Sequence, residues 1–244
     1  LIQQANQGLS AGRNLGATLA SGRYLGFLDS DDRLAAGALG SLLRLAEASG
    51  SDVVLGRTLV FDSASQAPCP FYDAAIWQGL LSGRATRVTD ARQSPRLLSL
   101  EPNVNYRLIR RTFYHEQALE FPRGLYFEDP PVHFGMLLGA RRIALADRVY
   151  YHYRVNREGK ITEARSLRRF DALRVAALAL DALRARSVAP SQGGAALRVL
   201  LRMAWGCGVR TPPAARRAFF AEACGLFRSS VPGSWLAAYR RQQG

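Results

Sequence analysis

Lysine is almost absent from this sequence of 244 residues: Lys160 stands alone, and arginine makes up the rest of the 33 basic side chains. A ratio so uneven reads as a codon bias of the whole genome, which makes part of the basic charge background. Cysteine is equally sparse. Cys69, Cys207 and Cys224 are odd in number, far apart and outside any CxxC or His/Cys metal spacing, which excludes a disulfide scaffold; they read as reduced, buried thiols of a cytosolic protein. No uncharged apolar run approaches the ~20 residues of a membrane-spanning helix. A signal-peptide pattern is missing too. The chain opens Leu1-Ile2-Gln3-Gln4 without an initiator Met, so its first element reads as entered midway along a longer chain.

What is present is an ordinary globular composition, 48% hydrophobic and 21% charged, with enough length for one domain and an appendage. The formal net charge of +14 is unevenly spread. Residues 1 to 165 hold 20 basic and 16 acidic groups, whereas residues 166 to 244 hold 13 and 3. The excess belongs to the tail.

Element signals alternate between helix and strand up to about residue 165. Ser10 to Ala20 has Leu15 and Leu19 at helical spacing behind a Ser10 N-cap candidate, and Tyr24 to Leu28 reads as a buried strand that ends in Asp29-Ser30-Asp31-Asp32. A helix over Ala35 to Ala48 and a β-branched strand over Asp52 to Phe61 follow. A short helix is expected at Ala74 to Leu81, then an irregular stretch to Pro102, and a strand at Asn105 to Arg110. A helix enters at Pro130-Pro131, and Ile143 to Ala146 and Val149 to Arg154 read as two strands. From Leu167 the texture is all helix: Phe170, Leu173, Ala177 and Leu180 form one stripe, with Arg168, Asp171, Arg174 and Asp181 opposite. Further helices are expected over Ala195 to Trp205 and Ala214 to Phe227. The expected division is 1–165 and 166–244.

Three segments could carry chemistry. Acids at the end of a strand, as in Asp29-Ser30-Asp31-Asp32, sit where α/β sheets bind ligands, and two of them one residue apart can reach one hard cation; they also make good turns and caps. A haloacid-dehalogenase signature is excluded by Asp32-Arg33, and an EF-hand by Leu34 and Gly40 at its Gly and Glu positions. Glu128-Asp129 offers a general base, or alternatively a helix cap with Pro130 at the first helical position. Tyr150 to Arg154 with Arg157 to Thr162 interleaves aromatics and cations. That mixture suits a diphosphate, a single-stranded nucleic acid or plain solvent.

Their order is more informative than each alone. Asn6-x-Gly8-x-Ser10-x-x-Arg13-Asn14-x-Gly16, then Ala20-Ser21-Gly22-x-Tyr24-Leu25-x-Phe27-Leu28-Asp29-Ser30-Asp31-Asp32, then Phe127-Glu128-Asp129, then Tyr150 to Thr162, resembles family 2 glycosyltransferases over residues 4 to 162. The resemblance implies an α/β GT-A nucleotide-diphospho-sugar transferase sandwich, N-terminally incomplete because the family's first strand and nucleotide-base residues precede this point, followed by the C-terminal all-helical segment. It also implies inverting transfer from a nucleotide-diphosphate sugar, with Mn2+ or Mg2+, to a hydroxyl of a glycan, a lipid-linked carrier or a cell-surface polymer.

Residue by residue, the resemblance makes Asp31 the metal ligand of the DxD motif, places Asp29 on the ribose or a metal-bound water, and gives Asp32 a supporting role. Asp129 becomes the base that deprotonates the acceptor, with Glu128 beside it. Arg13, His152, Arg154 and Arg157 would face the diphosphate, and Lys160 stands where the family has Ser.

For the basic tail three readings stand: a helical cap on the catalytic part, a peripheral hold on an anionic membrane with Phe219, Phe220, Phe227 and Trp235 as anchors where they are not core, or a polyanion binder with no catalysis. No nucleic-acid motif accompanies the charge, so nucleic acid is the least supported partner. The expected location is cytoplasmic, at the inner face of the cell membrane if the tail holds it there.

Overall fold

The computed structural model describes residues 2–69, 71–156 and 165–242. Helix α1 (Leu9–Leu19) leads into β1 (Tyr24–Leu25), the acidic loop, β2 (Arg33–Leu34), α2 (Ala38–Ser49) and β3 (Val53–Asp62). After β4 (Pro68–Cys69), α3 (Ala74–Leu81) and β5 (Thr86–Thr89) comes a 3-10 turn at Pro95–Ser99. The chain continues through β6 (Arg107–Arg110), α4 (Arg111–Glu116), α5 (Asp129–Gly139) and β7 (Ile143–Val155). A second 3-10 turn, Leu167–Phe170, opens the tail of α6 (Asp171–Ala185), α7 (Pro190–Arg210), α8 (Pro213–Ser230) and α9 (Gly233–Arg241).

The strands form one mixed sheet in the order β1-β6-β3-β7-β2, with β4 beside β3 and β5 beside β7. Among the described residues only β3 and β7 run parallel. That pair is the centre of the fold: Val53, Val54 and Leu55 are consecutive yet fully buried, as a strand covered on both faces requires. Their register shifts between Leu55 and Thr58. Gly56 sits at the shift because a Cβ there would lie 2.6 Å from that of Tyr150.

Several expectations are corrected. Ser10 does not cap α1; Gly8 does, at φ +85°, and the buried Ser10 hydroxyl has no hydrogen-bond partner. The strand expected over Tyr24 to Leu28 pairs for two residues only, because Gly26 to Leu28 leave the sheet to carry the acidic loop, and Phe27 packs edge-on against Phe121 at 5.5 Å. The two strands expected from Ile143 are one, continuous through Asp147-Arg148. The irregular stretch holds β5 and the first 3-10 turn. Of the cysteines, all free, only Cys207 is buried. Asp171 faces inward, 2% exposed, and not out with Arg174. Helix α9 was not anticipated.

The tail shares the apolar core of the sheet: Ala176, Leu180, Leu183, Leu197, Leu200 and Trp235 belong to the same buried cluster as Val54 and Leu145. Hydrogen bonds fix it in register. Ser99 Oγ donates to the Ala195 carbonyl at 3.0 Å, and Gln192 Nε2 to that of Ala91 at 3.0 Å. Phe219 and Trp235 are buried, at 0% and 4% exposure, so neither reaches a membrane; Trp205, at 67%, is the exposed aromatic of the tail.

The α7–α9 contact depends on two glycines. A Cβ on Gly193 would meet the Trp235 ring at 2.3 Å, and one on Gly194 would meet the backbone nitrogen of Tyr239 at 2.7 Å. Alanine favours a helix over glycine by about 1 kcal/mol, but a backbone atom cannot swing aside, and overpacking costs about 1–3 kcal/mol. Gly194→Ala is therefore expected to destabilise the protein by about 1 kcal/mol net and to open α9 to proteolysis. Urea unfolding checks the first and limited digestion the second; a more stable variant refutes the packing account.

Candidate active site

Helix α1 brings the site together. Asn14 makes a two-way bond with a segment 107 residues further on: its Nδ2 donates to the Phe121 carbonyl at 2.9 Å and its Oδ1 accepts the Phe121 N–H at 2.9 Å. With that strut in place, the preceding residue, Arg13, lies over the Phe121 ring and reaches both acid segments. Its Nη1 donates to Glu128 Oε1 at 2.8 Å and to Asp129 Oδ1 at 3.1 Å, and its Nη2 donates to Asp29 Oδ1 at 2.9 Å. Asp29 Oδ2 accepts from Asn105 Nδ2 at 2.7 Å.

Four of the residues singled out in the sequence thus meet at one guanidinium: Arg13, Asp29, Glu128 and Asp129. Asp32 lies in a neighbouring arrangement, where Tyr151 donates its hydroxyl to Oδ2 and the Arg154 N–H donates to Oδ1 at 2.7 Å. The Arg154 guanidinium lies over Phe61 at 5.5 Å. His152 stands opposite Arg33 and Leu59 in the sheet, and strand alternation points its side chain away from the face that Tyr151 uses. Asp31 is half-buried on the loop. Arg157 and Lys160 lie outside the described residues.

The cap reading of Glu128-Asp129 loses its support. Asp129 is the first residue of α5, Glu128 precedes it, and neither makes a side-chain cap bond. What fixes the pair is the residue before it. Phe127 is held at φ +65°, a conformation costing about 1–3 kcal/mol for a bulky side chain. The tail secures it: Asp171 Oδ2 accepts the Tyr126 N–H at 3.3 Å, and the buried Arg169 lies over the Phe127 ring at 5.6 Å.

Burial pushes the carboxyls of Glu128 and Asp129 above the ordinary range; Asp29 adds to the push on both, and Arg13 opposes it. For Arg13 burial works against the cation, but Asp129, Asp29 and Glu128 outweigh it and hold its pKa up. Asp32 is raised by burial against the bonds from Arg154 and Tyr151. Asp129 keeps a quarter of its side chain accessible, at 25%, against 9% for Glu128, so an incoming hydroxyl can reach it.

Sequence reasoning missed the support behind these acids. Arg107, fully buried on β6, places Nη2 2.5 Å from His133 Nδ1. His133 is one turn past Asp129 on α5, and burial together with Arg107 lowers its pKa well below the ordinary value. Its Nδ1 is therefore an acceptor, leaving the Nε2–H for the Leu98 carbonyl at 3.4 Å. A charged residue between Tyr106 and the apolar pair Leu108-Ile109, within an expected strand, was the available signal.

Among the described residues no three His, Cys, Asp or Glu side chains converge as a metal cage. A hard cation shared with substrate phosphates needs only one or two carboxylates. Asp29 and the half-buried Asp31 supply that donor chemistry, so the residues fit such a shared ion rather than an all-protein site.

Residues 1–73 match the family described as Glycosyl transferase family 2. Over 173 residues the chain is 28% identical to EpsJ of Bacillus subtilis (strain 168), covering 64% of this chain and 44% of that protein. It is 28% identical over 172 residues to EpsH of the same organism, with the same shares, and both are named as glycosyltransferases. The chain spans less than half the length of these relatives. Among solved structures, S. aureus TarS 1–349 superposes with a TM-score of 0.68 at 18% identity, covering 94% of this chain and 62% of that one. A complex of the same TarS fragment with UDP-GlcNAc superposes at 0.52 and 16% identity, over 98% and 72%. The fold is of the GT-A type, with the helical segment appended.

Arg13 is 8% exposed and neutralises three carboxylates, so Arg13→Ala leaves buried charge unpaired. Such a loss typically costs about 3–5 kcal/mol. Chemical denaturation is expected to show at least about 3 kcal/mol; a change under about 1 kcal/mol would mean the cluster relaxes into water.

Proposed function

We propose that this chain, whose residues 1–73 match Glycosyl transferase family 2, transfers a sugar, with inversion, from a nucleotide-diphosphate sugar to a hydroxyl of a glycan, lipid-linked or cell-surface polymer acceptor. The observation that carries the proposal is the Arg13 bridge, which gathers Asp29 and the Glu128-Asp129 pair at one place. The UDP-GlcNAc complex of TarS supports a nucleotide-sugar donor.

In the proposed reaction the acceptor hydroxyl attacks the anomeric carbon and gives its proton to an Asp129 oxygen, while the bond to the diphosphate breaks on the opposite face. A base on the face away from the leaving group gives inversion. Charge grows on the departing diphosphate, and an Mn2+ or Mg2+ ion held by Asp31 and Asp29 would supply Lewis-acid stabilisation there. Arg13 balances the negative cluster and keeps Asp129 aimed, and Arg13, Arg154 and Arg157 are the proposed cationic contacts of the diphosphate, whereas His152, on the sheet face away from Tyr151 and Asp32, is not among them. Asp32 holds the loop against Tyr151.

Asp129→Asn is expected to lower turnover of a nucleotide-sugar panel by about 100-fold or more, because Asn keeps the shape and cannot take the proton. The acid limb of the wild-type kcat/KM profile is expected well above the ordinary Asp value of about 3.9, since the base works only when ionised and burial raises its pKa. Activity falls as pH drops through that raised value. An unchanged Asp129→Asn variant, or a limb near pH 4, removes Asp129 as base.

Peripheral membrane contact at the cytoplasmic face belongs to the same proposal. No described helix is long and apolar enough to cross a membrane. What supports surface contact is the exposed Trp205, 5.5 Å from Phe220 on α8, together with the exposed Arg210 at the end of α7 and the exposed Arg217 in α8. At roughly 1 kcal/mol per basic residue near an anionic leaflet, Arg210→Gln with Arg217→Gln is expected to weaken binding to anionic vesicles about 30-fold. Flotation tests this, and equal flotation on neutral vesicles, or no loss in the double variant, sinks the membrane contact.

A further inference from the structure

The backbone of Glu101 is pinned from below by three side chains that are each fully buried. The Asp73 carboxylate accepts its N–H at 3.1 Å, and its carbonyl accepts from the Tyr106 hydroxyl at 2.5 Å and from Arg107 Nη2 at 3.0 Å. Burying an acid, a phenol and a guanidinium is expensive, and one Asp73 oxygen finds no partner even so. Burial pushes the Asp73 carboxyl up to about 6. A frame this costly around a single rim residue fixes where that residue points.

What it holds up is partly open to solvent. Glu101 Oε2 accepts from Arg202 Nη2 at 2.5 Å, with 27% and 38% of the two side chains exposed. The Arg202 guanidinium lies 5.9 Å from the centre of the Tyr72 ring, and Tyr72 is 67% exposed. An aromatic face beside a carboxylate and a guanidinium matches a pyranose, whose C–H face is apolar and whose ring-edge hydroxyls both donate and accept. The place is also right. Four residues after Glu101 the same loop supplies Asn105 to Asp29, and Arg107 reaches His133 behind Asp129. Burial first, and then Tyr72, Asp32, Glu101 and Asp29, push the Tyr153 hydroxyl above its ordinary pKa.

We propose that Tyr72, Glu101 and Arg202 form a saccharide subsite that takes a pyranose unit of the acceptor, with the tail helix α7 supplying one of its walls. This rests on the transferase reading above. The ring stacks on Tyr72, and its hydroxyls bond to Glu101 and Arg202. The tail is then part of acceptor selection and not only a cap.

Saturation-transfer NMR on the whole chain, with methyl β-D-glucoside, methyl β-D-galactoside and methyl N-acetyl-β-D-glucosaminide as probes, tests it. At least one probe is expected to receive saturation on its C–H face. Tyr72→Ala should weaken that binding about tenfold, and Tyr72→Phe should keep it. Arg202→Gln should also weaken it, which guards against a misfolded Tyr72→Ala protein. No transfer to any probe, or unchanged binding in both Tyr72→Ala and Arg202→Gln, overturns the subsite. Displacement of the probe by UDP-GlcNAc but not by UDP would give the ring to the donor and overturn the acceptor assignment. Nucleotide-sugar hydrolysis on the same wild-type sample separates the two readings: hydrolysis with unchanged glycoside binding in the variants sinks the subsite alone, and glycoside binding with no hydrolysis of any donor sinks the transferase reading alone.

Discussion

One guanidinium holds the negative centre of this molecule together. Arg13 bonds to Asp29, 16 residues away, and to Glu128 and Asp129, 115 and 116 residues away. Without a cation among them, three carboxylates in a half-dry cleft would repel each other and draw in protons or water. Arginine suits the position better than lysine because its planar fork serves several oxygens at once and stays charged when desolvated. The Asn14 strut places that fork, since the helix that carries Arg13 is tied to the Phe121 backbone before α5 begins.

The second constraint is the backbone at Phe127. A phenylalanine at φ +65° persists only where its surroundings over-determine it. Here the surroundings are the tail: Asp171 takes the Tyr126 N–H, Arg169 covers the ring, and Phe127 packs against the cluster built on Phe219 and Leu173. The direction of Glu128 and Asp129 therefore depends on helices that follow them in sequence by some forty residues. Together with the core shared by β3, β7, α6 and α7, this makes the division near residue 165 a change of texture without a break in packing.

Local patterns were legible and long-range partners were not. The loop of Asp29 to Asp32 and the start of α5 at Asp129 follow from nearest-neighbour chemistry, acids after an apolar strand and Pro in a first turn. Helical periodicity placed α2, α3 and α7, but put Asp171 outward with Arg174, because a helical wheel knows nothing of a backbone N–H at Tyr126 that needs an acceptor. Asn105 and Arg107 stood in an expected strand and His133 in an expected helix, but their meaning comes only from the atoms they meet across the fold. The same limit left Phe219 and Trp235 open between surface anchor and core, and they are core.

Net charge misled for a related physical reason. The tail's surplus of arginine suggests a polyanion partner, yet several of those side chains are spent inside the protein. Arg174 and Arg168 pair with Asp171, Arg184 with Asp181, Arg202 with Glu101, and Arg169 covers Phe127. Pairs such as Arg184 with Asp181 are exposed and stabilise little, but Asp171 and Phe127 are not surface features, and their cations carry structural weight. The count that bears on an external partner is thus a smaller one, drawn from arginines such as Arg186, Arg210, Arg217, Arg228, Arg240 and Arg241 that are exposed. A sum over the sequence treats every arginine alike; what an arginine attracts from outside depends first on what it already holds within.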